Sequence, residues 1–199
     1  MKKIFTLTLF SSFFLMACNN NKSKENITIT DKDGKEKVTI DPTKMVDAAK
    51  DMQAKKEELA GLTPLTQDEL KALVPDRMLD APLKDVDINA AMGATVAEAN
   101  YKLNDSANLK LEIIDCAGPG GSGMFGMQYL NMLNISSDDE DEYTKTIDFN
   151  GGKAMETCKK KRNRCTLVYF TGDRFLVSMR GDNIGMDALK DAAKALELK

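Results

Sequence analysis

The chain has 199 residues, 28 Lys+Arg against 31 Asp+Glu, four Cys, no His and no Trp. That length suits one ordinary domain with appendages and supports a full hydrophobic core. The lack of His excludes His-based triads, His general bases and His metal sites. The near-neutral balance argues against a nucleic-acid surface, which needs an excess of Lys and Arg on one face.

Met1-Lys2-Lys3 is a short positive start, followed by thirteen mostly apolar residues from Ile4 to Met16. That run falls short of the roughly 20 residues of a membrane span and matches a secretory apolar core. It closes with Leu15-Met16-Ala17-Cys18. These residues resemble the lipobox of bacterial lipoproteins: an aliphatic residue, a variable one (here Met16), a small one, then Cys. The small residue lets a peptidase approach the backbone, and the Cys thiol receives the lipid. The resemblance implies a signal peptide over 1–17 and a mature chain whose first residue, Cys18, carries diacylglycerol on sulfur and a fatty acyl group such as palmitate on nitrogen. More than one acyl chain makes a stable anchor where a single chain is marginal. In that family an Asp after the Cys often marks inner-membrane retention, so Asn19 favours the outer membrane. The competing reading is an ordinary cleaved signal with an incidental Cys. Removing 1–17 takes away Lys2 and Lys3, leaving 26 basic against 31 acidic side chains, and removes Phe5, Phe10, Phe13 and Phe14.

Residues 19–26 (NNNKSKEN) lack apolar anchors and read as a lipidated tether, 18–26. Over 27–62 the chain predicts a β-hairpin and a helix. Ile27–Thr30 and Val38–Ile40 flank an Asp33-Gly34 turn. Asp31 and Asp33 hint at a calcium loop, but Gly34 is out of register and Lys35 replaces a ligand. Asp41-Pro42 opens the helix, Gly61 closes it, and Met45, Ala49, Met52 and Leu59 form its apolar stripe. The stripe is too short to specify a coiled coil.

Residues 63–199 read as an α+β globular domain. Thr66-Gln-Asp-Glu69 is a capping box for a short helix ending before Pro75. Strands are predicted from Val86 onward, with Ala97, Ala99, Tyr101 and Leu103 alternating against Glu98, Asn100 and Lys102. Further strands are predicted at Leu109–Asp115, Tyr143–Phe149, Lys153–Cys158, Cys165–Thr171 and Arg174–Arg180, with turns at Asn150-Gly151 and Gly172-Asp173. A helix is predicted over Met124–Leu133 after a glycine loop, and another over Met186–Leu198 with Leu189, Ala193 and Leu196 inward. The fold class is α+β: an antiparallel sheet flanked by helices.

Ala97-Glu98-Ala99-Asn100-Tyr101, the strand ending Ile114-Asp115 before glycines, and Arg174-Phe175-Leu176-Val177 make residues 95–198 similar to a loose group of uncharacterised bacterial proteins. The order of elements also resembles the extrinsic P proteins of photosystem II. The resemblance implies an antiparallel sheet flanked by helices and carries no catalytic residues.

Gly121-Ser-Gly123-Met-Phe-Gly126 matches the dinucleotide pattern G-x-G-x-x-G between a strand and a helix. Tight hairpins downstream leave no room for the parallel crossover that the nucleotide fold needs. A mobile glycine loop is the expectation instead. Asp138–Glu142 and Lys159–Arg164 suggest calcium and lipid headgroups respectively. Pairing about Asn150-Gly151, however, places Tyr143 opposite Cys158 and Glu142 opposite Lys159, so the two charge runs screen each other. The same hairpins place Cys158 opposite Cys165, expected on the face away from Val168, Phe170, Phe175 and Val177. An exported chain then favours a Cys158–Cys165 disulfide. Cys116 is left over as a buried thiol. A Cu(I) site with Met124 and Met127 is outweighed by the core-like scatter of Met along the chain.

No catalytic, metal-ligating or cofactor-binding residue is predicted, and no cofactor. The expected function is lipid-anchored extracytoplasmic binding or scaffolding, with membrane lipid engaged through acylated Cys18 and no nucleic-acid partner. The alternative is an envelope enzyme using carboxylates or Cys116.

Overall fold

Two runs of antiparallel hairpins, fused side by side, make the body of the protein. The computed structural model describes residues 27–30, 36–40, 42–131 and 136–198. The expected signal peptide, Cys18, the tether, the Asp31–Lys35 turn, the Asp41 cap and Leu133 lie outside the described residues. In chain order the elements are a separate hairpin of β1 (Ile27–Thr30) and β2 (Glu36–Ile40), then α1 (Pro42–Ala60) and α2 (Gln67–Ala72). The first hairpin run follows: β3 (Arg77–Met78), β4 (Ala81–Ala91), β5 (Ala94–Lys102) and β6 (Asn108–Asp115). After α3 (Gly118–Asn131) comes the second: β7 (Ser136–Asp138), β8 (Glu142–Phe149), β9 (Gly152–Lys159), β10 (Arg164–Thr171) and β11 (Phe175–Asp182). The last element is α4 (Met186–Ala195). Because β6 pairs with β11, the runs form one antiparallel sheet of order β3-β4-β5-β6-β11-β10-β9-β8-β7. The fold is α+β.

Three two-residue turns set registers, each with both central residues at positive φ, as type I′ hairpins require, while the β10–β11 turn has three residues, Gly172, Asp173 and Arg174, between paired Thr171 and Phe175. Asn150-Gly151 is an ordinary occupant of such a turn, whereas Leu79-Asp80 (φ 48° and 64°) and Met92-Gly93 (φ 52° and 80°) are not. The latter two turns close β3–β4 and β4–β5. The sheet therefore begins before Val86, and β3, most of β4's first half and β7 are additions to the predicted set.

Alternation along the strands builds two cores. On one face Leu109, Leu111, Ile113, Leu167, Tyr169, Phe175, Val177 and Met179 pack under α2 through Leu70 and under α4 through Leu189 and Ala193. Both buried phenols find backbone acceptors, Tyr101 on the Pro75 carbonyl (2.7 Å) and Tyr169 on that of Ala193 (3.4 Å). Burial pushes the Tyr101 hydroxyl up to about 12. The capping box forms as predicted: Thr66 Oγ1 accepts from the Glu69 amide, and the Glu69 carboxylate accepts from the Thr66 amide. The C-terminal helix stops at Ala195 instead of Leu198, yet Leu196 and Leu198 stay buried as an extended tail.

The second core is smaller: Leu59, Val96, Ile114, Cys116, Phe125 and Leu176. It lies under α3 and the C-terminal part of α1. Of the α1 stripe, Leu59 is fully buried and Met52 half-buried, while Ala49 is exposed. Met45 lies outside the residues whose side chains are described.

The glycine stretch differs from its expectation. Residues 118–123 are the first turns of α3, not a loop before it. Pro119 suits a first helical turn, where its missing N–H costs nothing. A Cβ on Gly120 would stand 2.4 Å from the Gly93 carbonyl carbon, and one on Gly121 would stand 2.5 Å from that of Cys116. These glycines let the helix backbone rest directly on the β4–β5 turn and on the end of β6.

Candidate functional site

Cys158 and Cys165 are directly opposed on β9 and β10 and form a disulfide, with Cα atoms 4.1 Å apart. Their face differs from the expectation. In the β10–β11 hairpin Tyr169 pairs with Val177 and Thr171 with Phe175, so odd positions share a face. The disulfide therefore lies on the side of Phe175 and Val177, within the larger core, and away only from Val168 and Phe170.

The charge runs meet as the register requires. Lys159 pairs with Glu142 (3.5 Å), Lys160 with Asp138 (2.6 Å) and Lys161 with Asp141 (2.5 Å). Asp138 itself belongs to β7. All six groups are at least 40% exposed, so the pairs contribute little stability but cancel the local field.

The buried polar groups are also paired. Asp115, fully buried at the end of β6, accepts from the amides of Leu65 (2.7 Å) and Ala117 (3.1 Å). It also accepts from Arg174 Nε (3.0 Å) and Nη2 (2.8 Å), and Arg174 reaches the Thr63 carbonyl as well. This node ties the α1–α2 link to the β10–β11 turn. Glu156, buried on β9, stands 2.6 Å from both Lys145 and Lys190, which docks α4 onto the sheet. Cys116 is fully buried, and burial pushes its thiol up to about 12. Low thiolate character and no access are the reverse of what a nucleophilic cysteine needs. Among the described residues no group of three or more Cys, Asp or Glu is placed to hold a metal ion. Nor is any helix there long and apolar enough to cross a membrane.

What remains is the part of the sheet that α3 does not reach. Directly opposed residues point to the same side, so the register defines a polar row across eight strands. Ser137, Thr144, Thr157 and Thr166 lead into Arg180, Lys110, Asn100 and Asp85. None belongs to either core, and all are half-buried or exposed. Thr144 and Thr157 share a hydrogen bond of 2.9 Å, and Asn100 donates to Asp85 (2.5 Å). In the next row Glu98 faces Glu112 across β5 and β6. Lys110 pairs with Glu98. Burial first, then repulsion by Glu98, raises Glu112 above the ordinary carboxylate range. Arg180 is exposed and has no carboxylate within 4.0 Å among the described residues. This surface is a broad hydroxyl and charge lattice on a rigid sheet; it encloses nothing.

Sequence reasoning identifies the polar side of β5 (Glu98, Asn100, Lys102) but not this surface, which exists because α3 covers only one end of the face. No family model, no curated protein and no solved structure matches the chain.

Proposed function

We propose that the protein is a lipid-anchored extracytoplasmic binding or scaffolding module, held in the bacterial envelope by acylated Cys18 and presenting its open half-sheet to a macromolecular partner. The observation that carries the first part is the sequence Leu15-Met16-Ala17-Cys18 at the end of a thirteen-residue apolar run. The Cys158–Cys165 bridge is in keeping with an oxidising compartment. The surface argument is one of shape: a substrate-sized molecule is recognised in a concave site, whereas a broad lattice of hydroxyls and charges suits an extended partner.

A second reading, an envelope hydrolase, is favoured by one observation. Glu98 and Glu112 face each other across β5 and β6, and burial together with the Glu98 charge raises Glu112, as suits a general acid.

Fractionation of cells expressing the full-length protein, with mass spectrometry of its N-terminal peptide, tests the anchor. The expected peptide begins at residue 18 with diacylglycerol and one further acyl chain, and Cys18→Ala leaves the membrane fraction without either. An unmodified N-terminus on wild-type protein would overturn the reading. Arg180→Glu should then abolish co-purification of the partner while leaving the anchor intact. Turnover of a glycan by wild-type protein but not by Glu112→Gln would move the assignment to the second reading.

A further inference from the structure

Between the β3–β4 turn and the last turn of α4 lies a cavity of about 370 Å³. That falls within the usual range of small-ligand sites, about 300–1,000 Å³. Its floor is apolar, made by Met78, Ala192 and Leu196, all buried, with Leu79 and Ala195 as walls. Its rim carries two opposite charges, Arg77 and Asp80. The Arg77 guanidinium donates to the Asp80 carbonyl, and neither side chain has an ion-pair partner within 4.0 Å among the described residues. The rim charges are thus close in sequence yet not spent on each other. The unpaired carboxylate and the negative end of the α4 dipole both favour a cation on one side. The guanidinium fork favours a carboxylate on the other.

The turn that holds these groups is costly. Leu79 and Asp80 both have positive φ, a conformation that side-chain-bearing residues seldom adopt and that a branched apolar residue adopts least readily. Such strain persists where the surroundings over-determine it, and it concentrates at ligand sites. Asn-Gly would make the same turn at lower cost but would remove one apolar wall and one rim charge.

We propose that this cavity binds an apolar α-amino acid in its zwitterionic form, with the carboxylate on Arg77, the ammonium beside Asp80 and the end of α4, and the side chain against Met78, Leu79 and Leu196. The site stands on the cavity itself and is independent of the lipid-anchor reading. Titration calorimetry of the full-length protein with L-leucine, 4-methylpentanoate and 3-methylbutylamine tests it. The second compound lacks the ammonium and the third lacks the carboxylate. Leucine should bind saturably, with each analogue about tenfold weaker or worse. Arg77→Gln should weaken leucine by about tenfold and leave the amine unchanged. Ala195→Trp, at an exposed position, should fill the cavity and abolish leucine binding with an unaltered melting curve. No saturable heat with leucine from folded protein, or undiminished binding to Ala195→Trp, would overturn the proposal. Binding of 4-methylpentanoate as tightly as leucine would overturn the zwitterion assignment.

Discussion

Two glycines of the dinucleotide-like stretch should respond to alanine with opposite signs. Both lie within α3, where Ala is favoured over Gly by about 1 kcal/mol in a helix interior. At Gly123 a Cβ meets nothing within 4 Å, so Gly123→Ala should realise most of that gain, about 0.5–1 kcal/mol. At Gly120 the same atom would sit 2.4 Å from both the carbonyl carbon and oxygen of Gly93, against ordinary contacts of 3.4–4 Å. The neighbour is backbone in a hairpin turn, so relief requires moving the helix or the turn by about 1 Å. Overpacking of this kind costs about 1–3 kcal/mol or more. Net of propensity, Gly120→Ala should therefore destabilise by roughly 1–2 kcal/mol. At about 2–4 °C per kcal/mol for a chain of this size, the two variants should melt roughly 5–10 °C apart. Thermal unfolding by circular dichroism, repeated in urea, measures this directly. A mobile loop would leave both variants near wild type. Equal responses, or a Gly120→Ala variant as stable as wild type, would refute the backbone-on-backbone packing.

Asp115→Ala strands the Arg174 guanidinium and two amides, so it should cost about 3–5 kcal/mol in urea unfolding. Asp115→Ala combined with Arg174→Met should recover part of that loss, and a purely additive double mutant would contradict the node. Reducing the Cys158–Cys165 bridge releases a short loop and should cost about 2.5 kcal/mol in the chain-entropy model. In the Cys18→Ala variant, unfolded protein should show one thiol before reduction and three after it, with none reactive in the native fold. Glu112→Gln should change the pH dependence of stability. A carboxyl raised in the folded state binds its proton more tightly there than in the unfolded chain, so wild-type stability falls as pH rises from the ordinary Glu range through the raised folded value. Glu112→Gln should therefore be the more stable at neutral pH and lose that advantage in acid; a gap independent of pH would show that burial and Glu98 do not govern Glu112.

Local signals carried the second hairpin run well. Asn150-Gly151 adopts positive φ readily, so the β8–β9 register and its cross-strand charge pairs follow from counting residues. The β10–β11 turn, by contrast, takes in Arg174 as well as Gly172-Asp173, which shifts that register by one and puts the disulfide on the side of Phe175 and Val177. The first run was only partly legible, because Leu79 and Met92 occupy positions where propensity predicts Gly, Asn or Asp. Those turns are imposed by tertiary packing. Residues 118–123 misled for the complementary reason. Glycine is a poor helix former, and its presence there answers to Gly93, far away in sequence, and to the backbone of Cys116, just ahead of the helix. The polar residues of the open sheet could be assigned to one side of a strand, but which part of that side is covered depends on where α3 crosses.

The residues that looked most like chemistry are those the fold consumes. Asp115, Glu156, Cys158 and Cys165 are each matched to a partner, Lys159, Lys160 and Lys161 pair with carboxylates of the acidic run, and Cys116 is sealed in the smaller core. Among the charged groups that have no ion pair within 4.0 Å among the described residues are Arg180 on the open sheet and Arg77 and Asp80 at the cavity rim. The exposed methionines add a third kind of surplus. Met92 is 73% exposed in a left-handed turn and Met127 is 53% exposed on α3, the helix that rests on that turn through Gly120. A residue that strains its turn and is mostly exposed adds little internal stability, so Met92→Asn should be neutral or stabilising. A loss of stability would mean that Met92 has packing within the fold, whereas a gain would leave its retention to be explained by something outside the chain.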